Sequence, residues 1–523
     1  MTAPSRVLIV GSGPAGVSAA WPLLEAGVPV LMIDASMPPA LPAPPVGDIS
    51  GFRGDAARWE TQFGRDFRGL AAAADRSPKL ATPMARAALA GFAEANGIAV
   101  HNFLALGSLS RGGMSTIWGA VAQPYDNQDL AGFPFGRSAL SSSYDRVMRR
   151  IGVSGPAAEH LPGVTTGPPA APPILHLLAA AGTRGLRPGV TLETASNAVL
   201  MEARNGREGC ASCGLCLWGC ARGSIYASGE ELPALQRFPH FEYRSGTRAL
   251  RLLTLGGLPA VEVAPGATVA GNVGQGTIAA ARILLAAGTI ATTALVLRSL
   301  GSALSSVRLL TNPAAAMAFL MPSLIAKSLP ERSFSLAQLA YRLQLGSGDN
   351  AAGMLYAADT LPLADIAARV PLSRPVALRL SRALAPALVL ATCYLPGRYS
   401  SNTMRLVGED CRQVVIEGQS TAEAAAALCE AGRRLGRTLR RLGAWALRGS
   451  LSHAPPGADA HYAGTFPMGA EGMAGSNILG ELNALPGVHV VDGAALSDLP
   501  ARHCTLTIMA NADRIARGII ASS

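Results

Sequence analysis

Lysine is almost absent: of 44 Lys and Arg residues only Lys79 and Lys327 are lysines. The arginines are scattered and are not interleaved with aromatics, which make up 5% of the chain. A formal charge of +10 distributed in this way lacks the clustered basic footprint of a nucleic-acid binder, so no nucleic-acid partner is expected. Long apolar runs are missing too. Arginine or proline breaks each stretch before about 18 apolar residues accumulate, which excludes an expected membrane-spanning helix. The first apolar run, Val7–Val10, passes straight into a glycine-rich turn and leaves no room for a secretory leader. The expected location is the cytoplasm. There is no internal repeat and no long disordered tail.

What the chain does have is length and a core. It holds 523 residues, 49% of them hydrophobic, enough for two closely built domains. Strand Val7–Val10, a glycine turn, a helix through Leu24 and strand Val28–Ile33 read as one βαβ unit. A second strand-to-helix passage is expected at Ile283–Leu285 and Thr292–Leu300, after short strands at Tyr243–Leu253 and Ala260–Val263. The last seventy or so residues add strand Val488–Val491 and helix Thr505–Ile519. Pro/Gly/Ala-rich loops are expected at Met37–Gly51, Val153–Pro173 and His453–Asp459. The fold class is therefore α/β: a Rossmann-like dinucleotide domain from segments 1–140, 206–308 and 455–523, with an inserted α+β substrate domain from 141–205 and 309–454. Ala314–Ile325 and the Arg-studded Leu361–Leu390 are unusually greasy. They read as buried helices of the substrate domain or, alternatively, as a surface in peripheral contact with a membrane.

Gly11-Ser12-Gly13-Pro14-Ala15-Gly16 follows a strand and opens a helix, the context in which G-x-G-x-x-G signifies dinucleotide binding. Gly11 permits a tight turn, Gly13 lets a pyrophosphate approach the backbone, and Gly16 lets helix and strand pack closely. Pro14 and Ala15 open the helix, whose free N–H groups and dipole favour an anion. Asp34 ends the second strand, where a carboxylate accepts from a ribose 2′-OH and disfavours a 2′-phosphate.

Further motifs give the chain a family likeness. Arg111-Gly112-Gly113-Met114-Ser115-Thr116-Ile117-Trp118-Gly119 is similar to the flavin-contacting loop of glucose–methanol–choline (GMC) flavoproteins, above all their pyranose-oxidase-like branch. Ala286-Ala287-Gly288-Thr289 resembles the distal segment that folds against the dinucleotide in two-dinucleotide-type flavoproteins. Val490-Val491-Asp492-Gly493 resembles the GMC segment that returns to the flavin. His461-Tyr462-Ala463-Gly464-Thr465 resembles the family's catalytic H-x-x-G-T block, and His503 stands where the family has a second histidine or an asparagine. The resemblance touches both ends and the middle of the chain and is thin over 309–454. It implies FAD, and it implies noncovalent FAD, because Ile117 stands where some relatives attach the flavin through histidine.

That likeness makes His461 the expected base and His503 its orienting partner. Oxidising an alcohol requires removal of a hydroxyl proton as hydride leaves carbon, and imidazole is suited to accept that proton. His101, His160, His176, His240, His453 and His489 read as structural. Cys210-x2-Cys213-x2-Cys216-x3-Cys220 has the spacing of a ferredoxin cluster loop, although Ala221 replaces the usual proline and no second run exists. An iron–sulfur cluster and a reduced structural loop remain open, with zinc and disulfides disfavoured. Cys393, Cys411, Cys429 and Cys504 read as small apolar residues. The expected reaction is oxidation of a small-molecule primary or secondary alcohol, with a sugar or glycosyl-type hydroxyl preferred, toward an unidentified electron acceptor. The rivals are a sterol, long-chain or lipid-linked alcohol, and a flavin/iron–sulfur electron carrier without alcohol chemistry.

Overall fold

A computed structural model describes residues 6–36, 41–55, 77–162, 166–265, 276–368, 370–408 and 413–522. Parts of the expected loops, residues 37–40 and 163–165, lie outside them, as does Cys411.

The opening βαβ unit consists of β1 (Val7–Val10), α1 (Pro14–Glu25) and β2 (Val30–Ile33). Every residue of both strands is buried, as their unbroken apolar runs require for central parallel strands covered on both faces. Three distant segments join them: β3 (Phe241–Arg244), β4 (Arg282–Leu285) and β5 (Val488–Val490). The order is β5-β4-β1-β2-β3 and every pair is parallel. Helices α2 (Thr289–Leu300) and α3 (Thr505–Ala521) follow β4 and β5 and bury Leu295, Leu297, Leu506, Met509 and Ile515 in the same core. Helix Ser138–Ile151 lies in this core too, through Leu140, Tyr144 and Val147.

The expected strand Tyr243–Leu253 is in fact two strands in two sheets. Gly246, at φ 64°, turns the chain after β3 into Thr247–Leu255, which pairs antiparallel with Leu258–Pro265. A period-2 pattern survives such a turn, so the break is hidden from the sequence.

A separate antiparallel sheet carries the second core. From Val190–Thr194 it runs through Leu339–Gln344, Asn350–Ala357, Leu388–Tyr394 and Ala314–Leu320. The 20-residue helix Ala422–Arg441 covers one face, setting Leu428, Leu435 and Leu439 against Phe319, Leu355 and Val389. Ala314–Leu320, expected as a buried helix, is a strand of this sheet. Of Leu361–Leu390, Leu363–Ala368 and Arg374–Leu384 are helical, and the end belongs to strand Leu388–Tyr394. A short apolar run does not distinguish strand from helix, and the sheet neighbours decide. Among the described residues no helix is long and apolar enough to cross a membrane.

Candidate active site

The glycine turn owes its shape to close backbone approach. Gly11 has φ 109°, and a Cβ there would stand 2.4 Å from the Ala286 carbonyl oxygen. At Gly16 a Cβ would stand 2.0 Å from the Gly11 carbonyl oxygen, so α1 can cross the turn only without a side chain. Gly13 differs: its Cβ would meet nothing nearer than 4.0 Å and would project into a long cleft lined by Gly11, Gly13, Pro14, Ala15, Asp34, Gly113, Met114, Ala287, Gly288, Asp492 and Gly493. The cleft encloses about 1410 Å³ of empty space, its open mouth included. The N-terminus of α1 carries no side-chain cap and no acid in its first turn, so its leading N–H groups and dipole are available to a pyrophosphate. A cradle that Cβ atoms would fill, an uncapped helix end and an acid at the tip of β2 fit a dinucleotide such as FAD.

Several of the expected cofactor residues shape the cleft indirectly. Asp34 accepts the Ser12 N–H at 2.8 Å and the Ser36 N–H at 2.7 Å, which ties the end of β2 to the glycine turn. Gly112 is left-handed (φ 85°), abuts the Gly229 backbone and donates its N–H to Ser12 Oγ at 3.0 Å. The Ser115 and Thr116 hydroxyls donate to Gly112 and Gly113 carbonyls at 2.6 and 2.9 Å, holding the loop's 3-10 turn. Gly112, Ser115, Thr116 and Gly16 thus stand behind the lining rather than in it. Ile117 is also off the cleft, packed against Ala85 and Ala88. Asp492 accepts from Gly288 N–H (2.9 Å), Thr292 Oγ1 (2.5 Å) and Ala494 N–H (3.0 Å), fastening the end of β5 to the start of α2. Burial pushes its carboxyl up to about 6.

His461 and His503 meet although 42 residues separate them in sequence. Their ring centroids are 4.9 Å apart at 76°, and Tyr394 completes a triangle at 5.3 Å from His461 and 5.4 Å from His503. Three segments converge here: the strand ending at Tyr394, the loop before α3, and the 461–465 block. Reciprocal Leu310–Ala463 backbone hydrogen bonds of 3.0 Å each set an antiparallel register that places Asn312 opposite His461. Asn312 Oδ1 lies 3.0 Å from His461 Nδ1. The amide cannot be turned over, because Asn312 Nδ2 donates to the Leu395 and Pro500 carbonyls at 2.7 and 3.0 Å. Nδ1 of His461 is therefore the protonated nitrogen and Nε2 keeps its lone pair. Asp459 Oδ2 accepts the N–H groups of Asn312 (2.9 Å) and His461 (3.2 Å), fixing both backbones.

Burial sets the charge states. It lowers the His461 imidazole to about 4 and raises the Asp459 carboxyl to about 7. His503 is driven well below the usual imidazole range, first by burial and then by His461 and Arg502. Its Nδ1 is buried without a hydrogen-bond partner, a state that costs stability unless a ligand group meets it. Ala460 between Asp459 and His461 is left-handed at φ 58°, a strained conformation for a residue with a Cβ. It lines the cleft together with Tyr462 and Cys504.

His503 also lines a second, smaller hollow. Its wall includes His503, Tyr394, Arg502, Arg342, Glu193 and Gln123. Asp129 holds both guanidiniums, Arg342 at 2.7 Å and Arg502 at 2.9 Å, and Gln123 donates to Glu193 at 3.2 Å. Asn312, Tyr394, Asp459, Arg342 and Arg502 were not singled out from the sequence as site residues. Only Asp459, two residues before His461, leaves a local signal; Asn312 and Tyr394 arrive through sheet register.

The iron–sulfur expectation finds no support at the cysteine run. Among the described residues no group of three or more His, Cys, Asp or Glu is placed to hold a metal ion, and Cys210, Cys213, Cys216 and Cys220 are free thiols. Within the run, Ser212 (φ 52°) and Gly214 (φ 77°) are left-handed. Cys216 turns inward, where burial pushes its thiol to about 12, and its N–H donates to Ser335 Oγ at 3.2 Å.

Comparison with known proteins agrees with this geometry. Residues 4–40 match the family of FAD binding domains. No curated protein matches the chain in sequence. Among solved structures, pyridoxine 4-oxidase from Mesorbium loti is similar with a TM-score of 0.62 and 16% sequence identity, over 99% of each chain. The chain thus shares the overall fold of that structure, and the stretch that matches the FAD binding domain family spans β1–α1–β2.

Proposed function

We propose that the protein oxidises a primary or secondary hydroxyl of a small polar molecule, a sugar or similar polyol, to a carbonyl in an FAD-dependent reaction. One observation carries this reading: the rings of His461 and His503 meet beside the dinucleotide cleft, whose lining includes their neighbours Ala460, Tyr462 and Cys504. FAD, when bound, supplies the two-electron acceptor for hydride. The chain's own residues handle the proton. His461 is neutral at working pH and fixed by Asn312, so its Nε2 lone pair accepts the hydroxyl proton. His503 orients the alcohol oxygen and stabilises developing negative charge on it. Tyr394 packs on both rings and limits their movement. Gln123, Glu193 and Arg502 offer donors and acceptors to further hydroxyls. The charged and amide side chains in the wall of the hollow favour a compact polar substrate over a sterol or a long chain.

An anaerobic titration of the flavin-loaded protein with small polyols and, in parallel, long-chain alcohols tests the reading. Bleaching of the flavin band by a small polyol is expected. Bleaching only by long-chain alcohols or sterols overturns the substrate class, and bleaching by no alcohol overturns the reaction.

A further inference from the structure

Surface helices normally turn their large apolar side chains inward. Helix Arg374–Leu384 departs from this: its fully buried residues are Ala377 and Ser381 and Leu378 and Leu384 are half-buried, while Leu372 just before it, Val376 and Leu380 are 52%, 48% and 38% exposed. Spacing of four residues aligns these three on one outer stripe. The stripe is extended sideways by the 325–327 segment, because Ala326 N–H donates to the Ala383 carbonyl at 2.9 Å, which brings exposed Ile325 and Lys327 alongside. Such a gathering of exposed large apolar side chains, ringed by polar ones, marks a contact site.

Charge identifies what it contacts. Arg374, Arg379 and Arg382 are exposed around the stripe, and with Lys327 they form no ion pair with a described residue. No Asp or Glu occurs from Ile366 to Gly408. A protein partner would need an apolar groove ringed by acids. An anionic bilayer offers both features at once, a hydrocarbon edge for the leucines and phosphates for the arginines. We infer that helix Arg374–Leu384 lies in the plane of an anionic lipid surface, inserting Leu372, Val376 and Leu380, with Lys327 and the three arginines at the headgroups. The inference does not depend on which alcohol is oxidised.

Sedimentation of the flavin-loaded protein with vesicles of phosphatidylcholine containing phosphatidylglycerol, and with phosphatidylcholine alone, tests it. The protein is expected to pellet with the anionic vesicles at least about tenfold more strongly, since each arginine contributes about fivefold. The triple variant L372S/V376S/L380S should lose most of that binding while keeping its flavin, because the changed side chains are outside both cores. Arg379→Glu should weaken it about fivefold or more, independently of any folding defect in the triple variant. Equal partition of the native protein with both vesicles, or undiminished binding by the triple variant, overturns the inference. So does a native oligomer that the triple variant dissociates in the absence of lipid, which would assign the stripe to a second copy of the chain.

Discussion

On the parallel-sheet side, the site is drawn in backbone: Gly11, Gly13 and Gly16 shape it by lacking side chains, and consecutive residues do the work. On the antiparallel-sheet side it is drawn in side chains from remote segments, with Asn312, Tyr394 and His503 converging on His461. A backbone site fails by steric collision and a side-chain site by lost orientation, so substitutions should act on different observables. In the first half they should change folding and cofactor retention, and in the second the rate of chemistry.

The sharpest contrast is expected within the glycine turn itself. Gly11→Ala places a Cβ 2.4 Å from a backbone oxygen at φ 109° and should destabilise the protein by on the order of 3 kcal/mol or more, visible in thermal unfolding without cofactor. Gly13→Ala meets open space and should leave that unfolding within about 0.5 kcal/mol of the native protein while weakening FAD binding at least about tenfold. Equal destabilisation by both would erase the distinction between framework and cradle.

Asn312→Ala removes the acceptor for His461 Nδ1–H and should slow flavin reduction by about tenfold with FAD retained. A change in FAD content instead of rate would move Asn312 to the framework side. Its amide also satisfies two buried carbonyls, so a loss of stability of about 1–3 kcal/mol should accompany the variant.

The charge state of His461 can be read directly. Its imidazole proton signals, assigned by their loss in His461→Ala, should titrate near 4. The ring is then neutral across physiological pH and becomes charged only as pH falls through that value. Titration near the ordinary imidazole value of about 6.5 would show that burial does not hold the base neutral.

The smallest effect is expected at the cysteine run. Cys213→Ser should leave flavin reduction and reoxidation unchanged, and neither iron nor labile sulfide should copurify. Stoichiometric iron would restore the ligand set that the spacing suggested.

The same division explains what could be read from the sequence. β1–α1–β2 was legible nearly to the residue because continuous apolar runs, a strand-to-helix glycine turn and a terminal acid are local signals. His461 and His503 were found through motif likeness, whereas their separation, tautomer and neutrality come from tertiary packing. Asn312 was invisible: Thr-Asn-Pro carries no chemical signature, and only the Leu310–Ala463 register turns it toward imidazole. Spacing misled where backbone conformation decided, as with Tyr243–Leu253, divided by a left-handed Gly246.

Whether His461 takes the substrate proton is settled most directly by anaerobic stopped-flow mixing of a bleaching alcohol with native protein and His461→Ala. The variant should keep its FAD and reduce it at least about 10²-fold more slowly; an unchanged reduction rate with full flavin content would contradict His461 as the base.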